Sequence, residues 1–246
     1  MGVFMKKRLA CIAAKIPDGI GMIDVGTDHG YLPVALAKRG YKGALYASDI
    51  GEGPLQTARQ HAQEAGAADQ IGFLCCDGLA LCPPQQVDCI VIAGMGGDTI
   101  SGILDRADWC MDPRYLLILQ PMTRAEVLRY WLIYNEFEIT GEDLVEDGGI
   151  LYSVITARFG GRTVLNDAEL YTGSRILLAA HPLYSRLWEI QNRRFQKMLA
   201  ALRTSGAGDA DGRLALCETI CRQLEEMSVW FWYTAAGLKS AICCTV

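Results

Sequence analysis

MIDVGTDHGYLP, residues 22–33, is the stretch on which the reading of this chain turns. An apolar run enters a glycine turn and continues as a helix-forming segment, the layout of a nucleotide-binding crevice. The dinucleotide fingerprint G-x-G-x-x-G nevertheless fails at its middle glycine, because Gly26 to Gly30 spell G-T-D-H-G. In that fingerprint the second glycine lets the backbone approach a pyrophosphate. Asp28 would instead set a negative charge against a negative ligand, at a cost on the order of a kcal/mol or more at partly screened contact distance. The crevice therefore favours a ligand with no phosphate at this point. S-adenosylmethionine has that chemistry: adenine, ribose, a cationic sulfonium and an amino-acid end, whose positive groups suit carboxylates.

Further acids fall where such a ligand needs them. Asp24 ends the first strand, in the crevice outside the carboxyl ends of the strands. Asp49 ends the second strand, 23 residues after Gly26, where a carboxylate can accept from both ribose hydroxyls; Ile50 follows it. Asp77, with Gly78, ends the third in CCDGL, placed to meet an adenine amino group. After the fourth strand comes AGMGGD (93–98), a turn in which Gly94 and Met95 let a base or cofactor approach the backbone. A single strand-end aspartate is commonly a helix N-cap. Four acids along one edge, with Thr27 and His29 between them, point together to a cofactor site.

From residue 20 to about 160 short apolar strands alternate with helical patterns, which argues for βαβ units around a parallel sheet. The strands are expected at 21–26, 44–50, 71–77, 89–94 and 115–121, all nearly continuous apolar runs, as in strands covered on both faces. Thr123 and Glu126 make a capping box ahead of an apolar stripe at Val127, Leu128, Trp131 and Leu132. Residues 137–159 read as two strands joined by an acidic, glycine-rich turn with no helix between them, a hairpin. A parallel sheet that closes with an antiparallel hairpin belongs to methyltransferases rather than to dinucleotide-binding proteins. The expected fold is therefore α/β, a Rossmann-like class I methyltransferase sheet, with a catalytic domain over 1–160. Over 161–246 the strand signal stops. Leu183, Leu187, Ile190, Met198 and Leu202 give one helical stripe, and Leu214, Cys217, Ile220, Cys221, Leu224 and Met227 give another. With TSGAGDADG (204–212) between them they predict a coiled-coil-like α-helical hairpin domain. The closing VWFWYTAAGLKSAICCTV (229–246) is aromatic and apolar: it packs on the body, meets a partner, or forms a tail.

Composition bounds these readings. Of 246 residues, 51% are hydrophobic, enough to build a core. No uncharged apolar run reaches the length of a membrane span. The N-terminus has the basic start of a signal peptide, but Lys15 and Pro17 interrupt its apolar run, and an amphipathic helix is the better reading. The ten cysteines contain no C-x-x-C pair, so no metal site is expected, and several lie in apolar runs as small core hydrophobes. Structural thiols in a reducing compartment imply a cytoplasmic protein. The oligomeric state is not set by the sequence, a monomer being favoured.

RLACIA (8–13), DVGTDHGYLP (24–33), CDGL (76–79), AGMGG (93–97) and LQPM (119–122) together resemble the bacterial tRNA adenine-22 N1-methyltransferase family, more loosely also through YTGSRILLAAHPLYSRL (171–187). The resemblance implies a class I methyltransferase fold, S-adenosylmethionine as donor, tRNA as partner, and a helical C-terminal domain that helps to hold the tRNA. Met122 stands where the family often has Asn, which leaves a contact to the target base to Gln120 or to backbone. Adenine N1 already carries an in-plane lone pair, so transfer needs orientation more than activation. The product ring is cationic, and a carboxylate near it favours the transition state. Asp28 is the first candidate for a base-facing role and His29 the second, the alternative for His29 being a hydrogen bond that orders the turn. Tyr31 either stacks on base or cofactor or packs the first helical turn.

Charge is divided unevenly. Net charge is −5, and residues 1–160 hold 13 basic against 20 acidic side chains. Between 175 and 203 six basic residues stand against Glu189 alone. Arg186, Arg193, Arg194 and Lys197 are the candidate phosphate contacts, with Lys7 and Arg8 at the N-terminus adding to the footprint. Two other readings stay open from sequence: a methyltransferase of another substrate, and a non-catalytic nucleotide- or RNA-binding protein.

Overall fold

The computed structural model describes residues 5–204 and 212–235, with side chains as far as residue 228. The chain divides into two compact units, Met1–Val164 and Leu165–Val246.

In the first unit, the elements run α1 (Lys7–Ala13), β1 (Met22–Val25), α2 (Tyr31–Lys38), β2 (Leu45–Asp49), α3 (Glu52–Glu64), β3 (Ile71–Cys75), β4 (Cys89–Gly96), α4 (Gly97–Asp105), β5 (Leu116–Thr123), α5 (Ala125–Tyr134), β6 (Phe137–Asp147) and β7 (Ile150–Phe159). The strands form one seven-stranded sheet in the order β3-β2-β1-β4-β5-β7-β6. β1, β2, β3, β4 and β5 pair in parallel, while β7 is antiparallel to both β5 and β6. This is the Rossmann-like sheet closed by an antiparallel hairpin that the apolar runs and the turn at 148–149 predict. Ile23, Val25, Ile90, Val91, Ile92, Leu117, Ile118 and Leu119 are all buried, as central strands covered on both faces require. Strand order reverses between β1 and β4, so their carboxyl ends splay apart and leave a crevice at the edge of the sheet.

The N-terminal helix behaves as its amphipathic pattern predicts: Ile12 and Ala13 are buried, and Lys15 pairs with Asp143 of β6 at 3.1 Å. The expected capping box at Thr123 and Glu126 does not form. Thr123 is held in β5 by its register with Gly96 of β4, and the chain turns into α5 through Arg124 in the left-handed conformation (φ 55°), with no side-chain cap. The Arg124 guanidinium meets Asp98 at 2.9 Å. Gly97 permits this junction, since a Cβ there would run into the Arg124 carbonyl. The stripe of α5 is as expected at Leu128 and Leu132. Beside them Arg129 is wholly buried, its Nε donating to Glu142 of β6 at 2.7 Å and its Nη2 to Ser153 of β7 at 3.1 Å.

The second unit is helical: α6 (Asp167–Thr172), α7 (Arg175–Leu178), α8 (Tyr184–Thr204) and α9 (Arg213–Ala235). Asn166 and Glu169 form a capping box on α6, and Glu169 also accepts from the Arg175 amide at 3.0 Å. α8 packs along α9, where Trp188 donates to the Leu224 carbonyl at 2.9 Å. Cys217, Ile220, Cys221, Leu224 and Met227 are buried, as the second stripe predicts. The first stripe is carried by Tyr184, Leu187, Phe195 and Leu199; Ile190 lies off it and is exposed, one residue out of phase with the buried face. α9 continues past Met227 to Ala235, into the aromatic stretch. Most of the turn at 204–212, and the role of the stretch from 229 onward, lie outside the described residues.

The buried Arg129–Glu142 pair generates a stability prediction. Glu142→Leu strands a buried guanidinium and should lower unfolding free energy by about 3–5 kcal/mol, whereas the double variant Arg129→Met/Glu142→Leu should recover most of it. Urea denaturation checks this; equal losses in single and double variants would mean that the pair is not the coupling.

Candidate functional site

The crevice at the β1–β4 reversal has a volume of about 630 Å³ and is lined from α1, the β1–α2 turn and the end of β4. Its floor follows from an unusual backbone. Gly26, Asp28 and Gly30 are all left-handed, at φ 72°, 49° and 67°. The turn is pinned by Ser48 of β2, whose carbonyl accepts from the amides of both Gly26 and Thr27, at 2.8 and 3.0 Å. Left-handed backbone is tolerated by aspartate better than by most side chains. Asp28 thus meets the conformational demand met by glycine in the phosphate-binding version, and adds a carboxylate.

Asp24 is 7% exposed and lines the crevice. Thr27 Oγ1 donates to its Oδ2 at 2.7 Å, and among the described residues no cation pairs with it. Burial pushes its carboxyl up to about 7; the Thr27 hydrogen bond pulls it down, and Asp49 pushes it further up. A buried carboxylate without a counter-ion attracts a cationic ligand.

Around it stand the other expected residues. Asp28 faces solvent in the crevice wall, with its Oδ2 3.3 Å from His29 Nε2. His61 of α3 donates through Nδ1 to the His29 carbonyl at 3.1 Å. The rings of His29, Tyr31 and His61 form a chain, with centroids 5.3 and 5.0 Å apart. The turn is therefore ordered by the His29 backbone, while the imidazole is turned to Asp28. Gly94 lies opposite, left-handed at φ 81°, with its amide donating to the buried Gln120 Oε1 at 3.2 Å. Gln120 Nε2 donates to the Pro121 carbonyl at 2.8 Å. The Met95 methyl lies over Gly26, where any Cβ would collide with it.

Asp49, Ile50, Asp77 and Gly78 continue along the carboxyl edge at β2 and β3. Asp49 accepts from the Gly51 amide at 2.9 Å and Ile50 is 73% exposed. Asp77 is engaged at 3.1 Å by Arg106, the residue that caps the C-terminus of α4. Gly78 is left-handed, and a Cβ on it would press on Ile103.

The N-terminal basic residues separate. Lys7 is exposed, whereas Arg8 is half-buried and lines the crevice, as do Met5, Lys6 and Leu9. Sequence periodicity placed α1 as a packing helix and gave no sign of this second duty. In the helical unit Arg186, Arg193, Arg194 and Lys197 are exposed on α8; Arg194 lies over the rings of Tyr171 and Phe195 at 5.7 and 5.6 Å. Arg203 is tied to Glu218 at 2.8 Å. All eight described cysteines are free; Cys75 is exposed, unlike the core thiols expected. Among the described residues no helix is long and apolar enough to cross a membrane.

Residues 5–155 match the family model described as "Methyltransferase domain". The chain is 35% identical to the tRNA (adenine(22)-N(1))-methyltransferase of Bacillus subtilis over 164 residues, 66% of this chain and 68% of that one. The crystal structure of the B. subtilis m1A22 tRNA methyltransferase TrmK superposes with a TM-score of 0.81 at 27% identity, covering 91% of this chain and 98% of that one. A Streptococcus pneumoniae protein solved in complex with S-adenosyl-L-methionine superposes with a TM-score of 0.76 at 29% identity, covering 91% and 99%.

The environment of Asp24 sets a pH dependence. Its folded carboxyl holds a proton up to about 7, against 3.8 when unfolded. The stability linked to the neutral form is thus full below the unfolded value, falls across the window, and is lost once pH has risen through the folded value. Asp24→Asn should raise the thermal midpoint over wild type at about pH 8, and by much less at about pH 5. Parallel shifts at both would show that Asp24 is charged throughout.

Proposed function

The chain belongs to the methyltransferase-domain family, in its tRNA (adenine(22)-N(1))-methyltransferase branch, and on that footing we propose that it methylates N1 of an adenine in tRNA, adenine 22 by its likeness to that branch. The observation that carries the reading is the crevice itself: a phosphate-hostile turn with a buried, unpaired Asp24 and the exposed Asp28, at the strand-order reversal of a methyltransferase sheet.

The residues fit S-adenosylmethionine. Asp24 and Asp28 would attract its positive amino-acid end, and Asp49 would accept from the ribose hydroxyls. Ile50 would cover the adenine and Asp77 with Gly78 would border it. Gly26, Thr27, Gly94 and Met95 would give it backbone and a methyl surface. When bound, the donor supplies a methyl group on a sulfonium. The protein's part is then to orient the acceptor and to stabilise charge. Tyr31 and His29 offer ring faces beside the crevice for the incoming base. Asp28, held by its left-handed backbone at the crevice wall, puts negative charge where the ring gains positive charge, an effect larger in the transition state than in the ground state. Gln120 keeps Gly94 in place, which makes it a support for the crevice floor. Lys7 and the exposed row Arg186, Arg193, Arg194 and Lys197 would meet RNA phosphates.

Incubation with labelled S-adenosylmethionine and unmodified tRNA, followed by mapping of the labelled nucleotide, tests the activity. Label at N1 of one adenine is expected; label on carbon or on another base would refute it. Among variants, Asp49→Ala should weaken donor binding about tenfold or more. Asp28→Ala should lower kcat far more than donor affinity. Charge reversal at Arg193, Arg194 and Lys197 should weaken tRNA binding, flatten its salt dependence and spare donor binding.

A further inference from the structure

The β1–α2 turn holds Asp28 in a left-handed backbone (φ 49°), although its side chain is exposed and its contact with His29, at 3.3 Å, is open to water. An exposed contact of this kind gives little hold. A left-handed residue other than glycine persists only where its surroundings over-determine it. The hold therefore comes from the backbone on either side. Before Asp28, the Ser48 carbonyl of β2 anchors the Gly26 and Thr27 amides at 2.8 and 3.0 Å. After it, the chain enters α2 through Gly30, whose carbonyl accepts from the Val34 amide at 3.0 Å. The His29 carbonyl has no such amide four residues ahead, because that position is Pro33, which carries no N–H. His61 of α3 supplies the donor instead, through Nδ1 at 3.1 Å.

His61 is well placed for that bond. It is half-buried, and its ring meets the Tyr31 ring edge to face at 5.0 Å, which restrains the imidazole plane. Three residues earlier, on the same face of α3, Ala58 stands against Gly30, where an added Cβ would lie 3.1 Å from the Ala58 Cβ. α3 thus supports two successive residues of the turn, Gly30 by packing and His29 by a directional bond. His61 itself does not line the crevice, so any effect it has on the reaction passes through the turn. α3 starts at Glu52, just past Asp49 and Ile50, so the edge expected to hold the donor's adenosine and the prop of the turn share one helix.

We infer that His61 is a positioning residue for methyl transfer: its bond to the His29 carbonyl fixes the turn that aims Asp28 at the acceptor base. Transfer makes the N1–methyl bond from the lone pair of the base and breaks the sulfur–methyl bond, whose electron pair stays on sulfur, so the positive charge passes to the ring. A carboxylate stabilises that charge best when it is already in place. The inference rests on the proposed base-facing role of Asp28, and the variants separate the two claims. His61→Phe keeps a ring beside Tyr31 and deletes the donor. Single-turnover methylation of unmodified tRNA should then slow about tenfold, while S-adenosylhomocysteine affinity, by calorimetry on the full chain, stays level. His61→Asn loses the ring but keeps an amide N–H at the place of Nδ1, and should recover most of the wild-type rate. In an Asp28→Asn background, His61→Phe should add little further loss. If the ring serves only for packing, the order reverses, with Phe tolerated and Asn slow, and the inference is overturned. Equal slowing by Phe and Asn, a loss of S-adenosylhomocysteine affinity that matches the loss of rate, or full additivity with Asp28→Asn would overturn it too. If Asp28→Asn alone leaves the rate unchanged, or the wild-type protein methylates no adenine, the base-facing role of Asp28 falls and that of His61 with it.

Discussion

A carboxylate buried at the end of β1 without a cation is the constraint around which the catalytic unit is arranged. Left to itself, the Asp24 side chain costs stability whenever it is ionised, and folding answers with a single hydroxyl from Thr27. A protein that needed only a stable sheet would place an apolar residue there, as it does at Ile23 and Val25. The cost is rational if the missing counter-charge arrives with a ligand. The same logic orders the walls: Asp28 adds a second acid on the turn and Arg8 a cation opposite, so the crevice is polarised before anything enters it.

The turn that carries these groups has a conformational economy of its own. Three left-handed residues in alternate positions fold the chain tightly between β1 and α2. Glycine takes two of them, where a left-handed backbone coincides with the Met95 methyl lying over Gly26 and a tight approach of Ala58 to Gly30. Aspartate takes the middle position, its side chain exposed, at modest backbone strain. Asp28 thus sets a carboxylate where the dinucleotide fingerprint has a glycine, while the sheet remains that of a Rossmann-like protein.

Much of this was legible in the residues, for physical reasons that differ by element. Buried strands are continuous apolar runs, so β1, β4 and β5 announce themselves, and the glycine pair at 148–149 marks the hairpin that gives β6 and β7. Of the acids read at the carboxyl edge, Asp24 and Asp28 line the crevice, while Asp49 and Asp77 lie farther along that edge, at the ends of β2 and β3. Where sheet register overrode local propensity, the signal failed: Thr123 has the chemistry of a cap but belongs to β5, and an arginine in a left-handed conformation does the turning. That Arg8 lines the crevice was not legible, because a basic residue on a short helix looks like surface, and only the three-dimensional approach of Tyr152 and Met122 places it there. His61 could not be found at all from sequence, since its tie to His29 spans 32 positions. In the helical unit the periodicity was right and its phase was one residue off at Ile190, because Tyr184 and Phe195 carry a face that aliphatic residues alone do not outline.

The central claim is that Asp24, held partly protonated near neutral pH by its burial, waits for the positive charge of the donor. Proton exchange on binding measures it directly. Calorimetry with S-adenosylmethionine near pH 7, where this carboxyl titrates, is repeated in buffers of different ionisation enthalpy. The account predicts that binding releases protons from the wild-type protein and that Asp24→Asn abolishes that release. Binding of equal affinity with no proton exchange, or release unaltered by Asp24→Asn, would contradict it.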